Sequence, residues 1–213
     1  MKLVNFASLD PSITSTGRKG LSGASALDRE VWNEFHADWE RLTIECEQLR
    51  TQLLQAHGET PEVRIENEDN FILDDYSGET RQAIVQQRIK QDFFRRAVLA
   101  SYHGRCCISG VSDIRFLVAS HIVPWWQDKA NRLNPRNGLC LSAIHDKAFD
   151  KHLFSLTDDH YIVLSASLKA SKDNFLQEVF WPIEDRQIEL PDRFRPEQAF
   201  VRSHRETMLR HKG

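Results

Sequence analysis

The stretch from Arg115 to His152, RFLVASHIVPWWQDKANRLNPRNGLCLSAIHDKAFDKH, constrains the fold more than any other part of the chain. Phe116, Leu117, Val118 and Ile122 mark Arg115 to Ile122 as a partly buried strand with His121 at its end. Pro124 holds Val123 extended, and the polar run from Gln127 to Arg136 cannot build a core, so a loop follows. Asn134-Pro135 and Asn137-Gly138 are turn signals. Leu139 to Leu141 makes a second short strand. Ser142 is then placed to cap a helix whose apolar positions Ile144, Ala148 and Phe149 recur at helical spacing. His145 stands one turn before Phe149. The expected product is strand, loop, strand, helix, with His121 and His145 directed into the same crevice.

At 213 residues the chain has room for one sizeable core, or one core with a helical arm. The first residues lack a basic segment followed by an apolar run, and no apolar stretch is long enough to cross a bilayer. These features predict a soluble, cytoplasmic protein with no membrane partner. Cys46, Cys106, Cys107 and Cys140 are too few and too unevenly spaced for a disulfide framework, and Cys140 has Ala143 rather than a cysteine three positions later. Buried thiols are expected.

The formal net charge of -3 hides a partition. Residues 1–80 carry 7 basic and 16 acidic side chains, residues 81–151 carry 12 and 5, and residues 152–213 carry 9 and 10. The positive segment is the one with the two histidines. Such a patch attracts phosphate and concentrates a polyanion by releasing its counterions; a solvated face paired with the acidic N-terminal region is the competing reading.

Before the motif, Met1 to Ala24 reads as an irregular arm, in which Arg18 and Lys19 are candidate partner contacts. From Ala26 to about Ala56 the spacing predicts one long helix. Phe35, Trp39, Leu42, Cys46, Leu49 and Leu53 form a seam at alternating intervals of four and three, which packs within the domain or pairs with a second subunit. His57-Gly58 and Thr60-Pro61 end that helix, and the acidic run from Glu59 to Tyr76 reads as a linker or cover. A second helix is expected over about Glu79 to Tyr102, with Ile84, Ile89, Phe93, Phe94, Val98 and Leu99 on the packing side and Arg81, Arg88, Lys90, Arg95 and Arg96 as long basic groups. Gly104 ends it. After the motif come two short strands, Leu153 to Leu156 and Tyr161 to Leu164, then apolar material from Phe175 to Trp181, and a terminal helix from Glu197 to about Leu209. The organisation is an N-terminal region, 1–78, and a domain, 79–213, containing the motif.

His121, beside a strand end, is a candidate base, because a histidine accepts a proton from water near neutral pH. His145 is a candidate metal ligand. Asp146 and Asp150 offer hard oxygen ligands. Lys129, Arg132 and Arg136, with Arg95 and Arg96, are candidate phosphate contacts. Trp125-Trp126 packs in the small domain or stacks on a base.

From about Phe93 to Leu164 the chain resembles the HNH endonucleases, more narrowly the branch related to predicted bacterial restriction endonucleases. The residues that carry the resemblance are Tyr102-His103-Gly104-Arg105-Cys106, Ser109-Gly110, Ala119-Ser120-His121-Ile122, Asn134-Pro135-Arg136-Asn137-Gly138-Leu139 and His145-Asp146-Lys147-Ala148-Phe149-Asp150. Leu190-Pro191, Arg195-Pro196 and His204-Arg205 extend it. The resemblance implies an α+β fold, a ββα-metal core embedded in a mainly helical domain with a C-terminal strand, loop and helix extension. It further implies metal-dependent hydrolysis of DNA to 5′-phosphate and 3′-hydroxyl ends, in bacterial restriction or phage defence. By the same resemblance His121 is the general base, Asn137 positions the loop, and His145 helps hold the divalent ion. Many relatives place Asp or His before the base, where this chain has Ser120, so the implied metal set is His145, Asp150 and Ser120 with water. Mg2+ or Mn2+ is the expected ion, with Ni2+ or Zn2+ as alternatives. Duplex DNA is the favoured partner, RNA is open, and a homodimer through the N-terminal helix is an option. The competing readings are a catalytically weak DNA-binding module and an assembly protein organised by the N-terminal helix.

Overall fold

The structure, a computed structural model, describes residues 6, 8–15, 17, 24–36, 38–57 and 78–210, with the backbone alone at 12 and 78–86. The expectations for Arg18, Lys19, the acidic run 59–76 and the side chains of Arg81 and Ile84 lie outside the described residues. The chain divides into two compact units, Met1–Tyr76 and Ser77–Gly213.

In the first unit the single helix expected over 26–56 is two, α1 at Ala26–Phe35 and α2 at Trp39–Ala56. Asp38 is the cause. Its carboxylate accepts the Arg41 N–H at 3.0 Å and caps a new helix, which an Asp does better at a terminus than in a helix interior. Ser25 and Asp28 form a reciprocal capping box at the start of α1. Arg41 pairs with Glu34 and lies 5.5 Å from the Phe35 ring centroid, joining the two helices across the break.

In the second unit α3, Gly78–Ser101, buries Phe94, Val98 and Leu99. It ends as Gly104 predicts. His103 and Gly104 adopt φ of 54° and 63°, and the Gly104 N–H donates to the Leu99 carbonyl at 2.8 Å. The first strand is shorter than expected. Asp113 accepts the Arg115 N–H and caps a 3-10 turn, Ile114–Phe116, so β1 runs Leu117–His121. Arg95 reaches from α3 to donate to the Leu117 carbonyl at 2.8 Å, which holds the start of the strand against the helix.

A second 3-10 turn, Pro135–Asn137, is capped by Asn134 and leads into β2, Gly138–Ser142, all of it buried. β1 and β2 pair antiparallel, with Leu117 opposite Ser142 and His121 opposite Gly138. Gly138 leaves no room for a larger residue: a Cβ there would stand 2.4 Å from Val98 Cγ2 and 2.9 Å from Phe94 Cζ. That clearance lets α3 lie directly on the strand pair. α4, Ala143–Asp150, follows β2 without a linker, completing strand, strand, helix in sequence order. Ser142 stands at its N-cap, but its hydroxyl bonds His145 and makes no cap bond to the backbone.

β3, Phe154–Leu156, and β4, Ile162–Leu164, form an antiparallel hairpin. Helices α5, Ala166–Lys169, and α6, Asn174–Phe180, follow, and α6 buries Phe180. The last helix, α7 at Gln198–Arg210, is tied to the hairpin by Arg205, which donates to the Leu156 carbonyl at 2.8 Å and pairs with Asp158 at 2.5 Å. The result is a mixed α+β unit whose strand pair and following helix are surrounded by helices. No helix among the described residues is long and apolar enough to cross a membrane.

Candidate active site

The end of β1 is held by Asn137, which is fully buried. Its Oδ1 accepts the Val123 N–H at 2.8 Å, its Nδ2 donates to the Val123 carbonyl at 3.0 Å, and its own carbonyl accepts the Ile122 N–H at 3.0 Å. A side-chain amide thus continues the ladder two residues past His121, where the strand itself stops. No aliphatic residue offers a donor and an acceptor in that arrangement.

His121 is stacked on Phe94, with ring centroids 3.8 Å apart and an interplanar angle of 10°, and meets Trp125 edge-on at 5.6 Å. Its Nε2 lies 2.9 Å from the Arg132 carbonyl oxygen. A carbonyl only accepts, so Nε2 carries the proton of that bond and the neutral ring keeps its acceptor lone pair on Nδ1. Burial lowers the pKa of His121 from its ordinary value of 6.5, against the opposing pull of the Arg132 carbonyl. At neutral pH the ring is a fixed, uncharged base.

His145 has different surroundings. It is 4% exposed, its Nδ1 is 2.7 Å from Ser142 Oγ and 3.7 Å from Cys106 Sγ, and its ring is edge-on to Phe180. Burial pushes the Cys106 thiol up, but the bonds from His145 and Ser109 outweigh it and bring the pKa to about 6. Among the described residues no hydrogen bond or ring contact joins His145 to His121; His145 is engaged through Nδ1 with Ser142 and Cys106. His145 and Phe149 are four apart on the face of α4 that enters the core.

The adjacent face carries Asp146 and Asp150, also four apart. Asp146 meets β1 at Ser120. Burial raises the Asp146 pKa, the Ser120 hydroxyl lowers it, and the charge of Asp150 raises it further. Asp150, at the solvent edge of the helix, is also raised, by partial burial, against Lys147, His152 and Lys151. The Ser120 hydroxyl faces Asp146 without closing a hydrogen bond of ordinary geometry. It is 2% exposed, and Ser120 Oγ is one of two buried side-chain atoms without a partner among the described residues, the other being Tyr102 Oη. A buried hydroxyl left open beside a carboxylate fits an ion or a water between them. All three donors are oxygens, which suits Mg2+ or Mn2+ better than Zn2+. Among the described residues no group of three His, Cys, Asp or Glu side chains is placed to hold a metal, so a cation there would rest on two carboxylates, a hydroxyl and water.

In the sequence Asp146 is a candidate oxygen ligand beside His145. The signal that finds it is its spacing of four from Asp150, while His145 has the same spacing from the apolar Phe149.

The basic residues have diverse surroundings. Arg95 is committed to the Leu117 and Ile114 carbonyls, and Arg96 pairs with Asp92 at 3.2 Å. Arg132 lies 5.3 Å from the Trp125 ring centroid, Arg136 is half-buried, and Lys129 is exposed.

An antiparallel strand pair, a helix directly after it and a half-buried histidine at the end of the first strand stand together in this segment. Residues 106–157, from the Cys106 turn to just past β3, match the model of a family described as HNH endonuclease. That match makes the segment similar to the HNH endonucleases and is in keeping with a nuclease function in general. The chain has no match among curated proteins.

Proposed function

We propose that the protein is a metal-dependent DNA endonuclease in which His121 is the general base, Asn137 fixes its position, and Asp146, Asp150 and Ser120 hold the divalent ion. The observation that carries this reading is the His121 ring: Nε2 is committed to a carbonyl, the pKa is lowered, and Nδ1 is left as an acceptor. His121 Nδ1 takes a proton from the attacking water. Phe94 and Trp125 hold the ring plane while it does so. A bound divalent ion supplies charge stabilisation to the phosphate and the leaving oxygen. Lys129, Arg132 and Arg136 meet flanking phosphates, whereas Arg95 and Arg96 serve the fold first. Cleavage leaves 5′-phosphate and 3′-hydroxyl ends, and a role in restriction or phage defence follows from the resemblance.

In this reading His145, engaged through Nδ1 with Ser142 and Cys106, backs the carboxylate pair from within the core. Two copies pair through α2, where Cys46, Leu49 and Leu53 are exposed at intervals of three and four with Glu45 and Arg50 flanking them. A concentration series by light scattering checks that pairing; a monomer throughout removes it.

A second reading, a DNA-binding module with weak catalysis, is favoured by Ser120 and by the absence of a group of three metal-binding side chains among the described residues. One experiment separates the two. Wild-type and His121→Ala protein are incubated with supercoiled, linear, single-stranded and base-modified DNA and with RNA, with Mg2+, Mn2+, Ni2+ or Zn2+ supplied separately. The endonuclease reading expects metal-dependent cutting that the substitution abolishes. Binding without cutting across the panel selects the binding module.

A further inference from the structure

Trp126 is the most exposed large apolar side chain among the described residues, at 77%, and it sits five residues after the proposed base. Its neighbour Trp125 has the opposite fate: it is packed edge-on against His121 and lies under the Arg132 guanidinium. The two occupy the corner positions of one turn, closed by the Gln127 N–H donating to the Pro124 carbonyl at 2.9 Å. The turn turns one indole inward as an anchor and the other outward.

The loop that presents Trp126 is tied on both sides. Before it, Val123 is clamped in both directions by Asn137. After it, Asp128 accepts the Ala130 and Asn131 N–H groups at 3.1 Å each and the Asn131 side-chain amide at 2.8 Å. An exposed aromatic held this way loses little freedom on binding. What surrounds it selects the ligand. In its own loop it is followed by the polar run Gln127, Asp128 and Lys129, and the apolar Trp125 before it is turned onto His121. A protein hot spot or a membrane anchor needs an apolar surround, whereas a base-stacking platform needs one bare aromatic face beside cations. Lys129 and Arg132 supply the cations.

We infer that Trp126 stacks on an unpaired nucleobase next to the phosphate held at His121, so that the substrate class is nucleic acid with an accessible base face: single-stranded, nicked or locally opened DNA. This rests on the nucleic-acid reading above and deepens it. In continuous duplex each base face is covered by its neighbours, and Trp126 would have to wedge a step apart at a cost of a few kcal/mol.

The test uses binding, not cleavage. The full chain, with EDTA present, is titrated by anisotropy into a labelled single-stranded oligonucleotide and into the same backbone made wholly abasic. Stacking on one base predicts that Trp126→Ala weakens binding of the normal strand about 5- to 100-fold. Trp126→Phe keeps most of the affinity, and the abasic strand binds wild type and Trp126→Ala alike. Lys129→Ala, as control, weakens both strands by the same factor. The inference is overturned if Trp126→Ala binds the normal strand as wild type does, if it loses the abasic strand to the same extent, or if wild type binds neither strand at low salt. Base-dependent binding without cleavage under any metal would leave the stacking role standing and remove the hydrolase.

Discussion

His145 and Asp146 are neighbours on α4 with opposite surroundings, and the difference is testable one residue at a time. His145 is bonded to Ser142 and Cys106 in the core, so His145→Ala leaves buried polar groups open and should cost about 1–3 kcal/mol in urea denaturation. Asp146→Asn removes half of the carboxylate pair. It should weaken Mn2+ binding by calorimetry at least about tenfold with little change in stability. Equal metal affinity for Asp146→Asn, with loss only in His145→Ala, would return the ligand role to His145. The pH profile follows from the same residues. His121 acts as the neutral ring and its pKa lies below 6.5, while Asp146 acts ionised and its pKa lies above 3.8. The limb that His121 contributes to kcat/KM should therefore lie below 6.5, with activity lost as pH drops through it; a His121 limb above 6.5 contradicts the assignment.

At the scale of elements, the strand, loop, strand, helix order was legible because its signals are local: a β-branched run, an Asn-Pro, an Asn-Gly, and apolar residues at helical spacing. So were Gly104 as a helix stop and the terminal helix. What was not legible depended on competition between local bonds. Asp38 looked like one polar residue in a long seam, yet its side chain caps α2 and splits the helix. Ser142 looked like a cap, yet a buried imidazole three residues on takes its hydroxyl. Of the candidate site, the strand-end position of His121 and the turn position of Asn137 could be read from the sequence, but the rotation of α4 that buries His145 and leaves Asp146 half-buried required the packing partners, Phe180 and Ser120, to be in place. Asn137-Gly138 read as a turn signal; the glycine is there because α3 lies on it. Gly138→Ala should cost about 1–3 kcal/mol by overpacking against Val98 and Phe94. Because Phe94 carries the His121 ring, the same substitution should lower kcat. Thermal denaturation and single-turnover cleavage read the two effects; a fully stable, fully active variant would show that α3 yields freely.

For the whole molecule, a second buried histidine makes stability sensitive to acid. His204 on α7 is stacked on Phe149 at 3.7 Å, and its Nδ1 lies 2.9 Å from Ser155 Oγ. Its Nε2 is 3.1 Å from both the Phe149 carbonyl and His152 Nδ1. Burial and His152 lower its pKa to about 3. The unfolded chain binds a proton on this residue near pH 6.5 and the folded chain does not, so stability falls as pH drops from about 6.5 towards 3, by up to about 1.4 kcal/mol per pH unit. Denaturation midpoints taken across that range should show the slope, and His204→Gln should flatten it; an unchanged slope assigns acid sensitivity elsewhere. Since His204 packs on Phe149 of α4, the helix that carries the proposed ligands is held by the C-terminal extension as well as by the strands.

The central claim is that His121 Nδ1 removes a proton from water at the phosphate. It is tested most directly by single-turnover DNA cleavage with wild type, His121→Ala, and His121→Ala plus free imidazole, at saturating Mg2+ or Mn2+. The account predicts a loss of about 10²–10⁴ in rate for the variant. It also predicts partial recovery that rises with imidazole concentration and follows the fraction of imidazole that is neutral. A His121→Ala rate equal to wild type would contradict it.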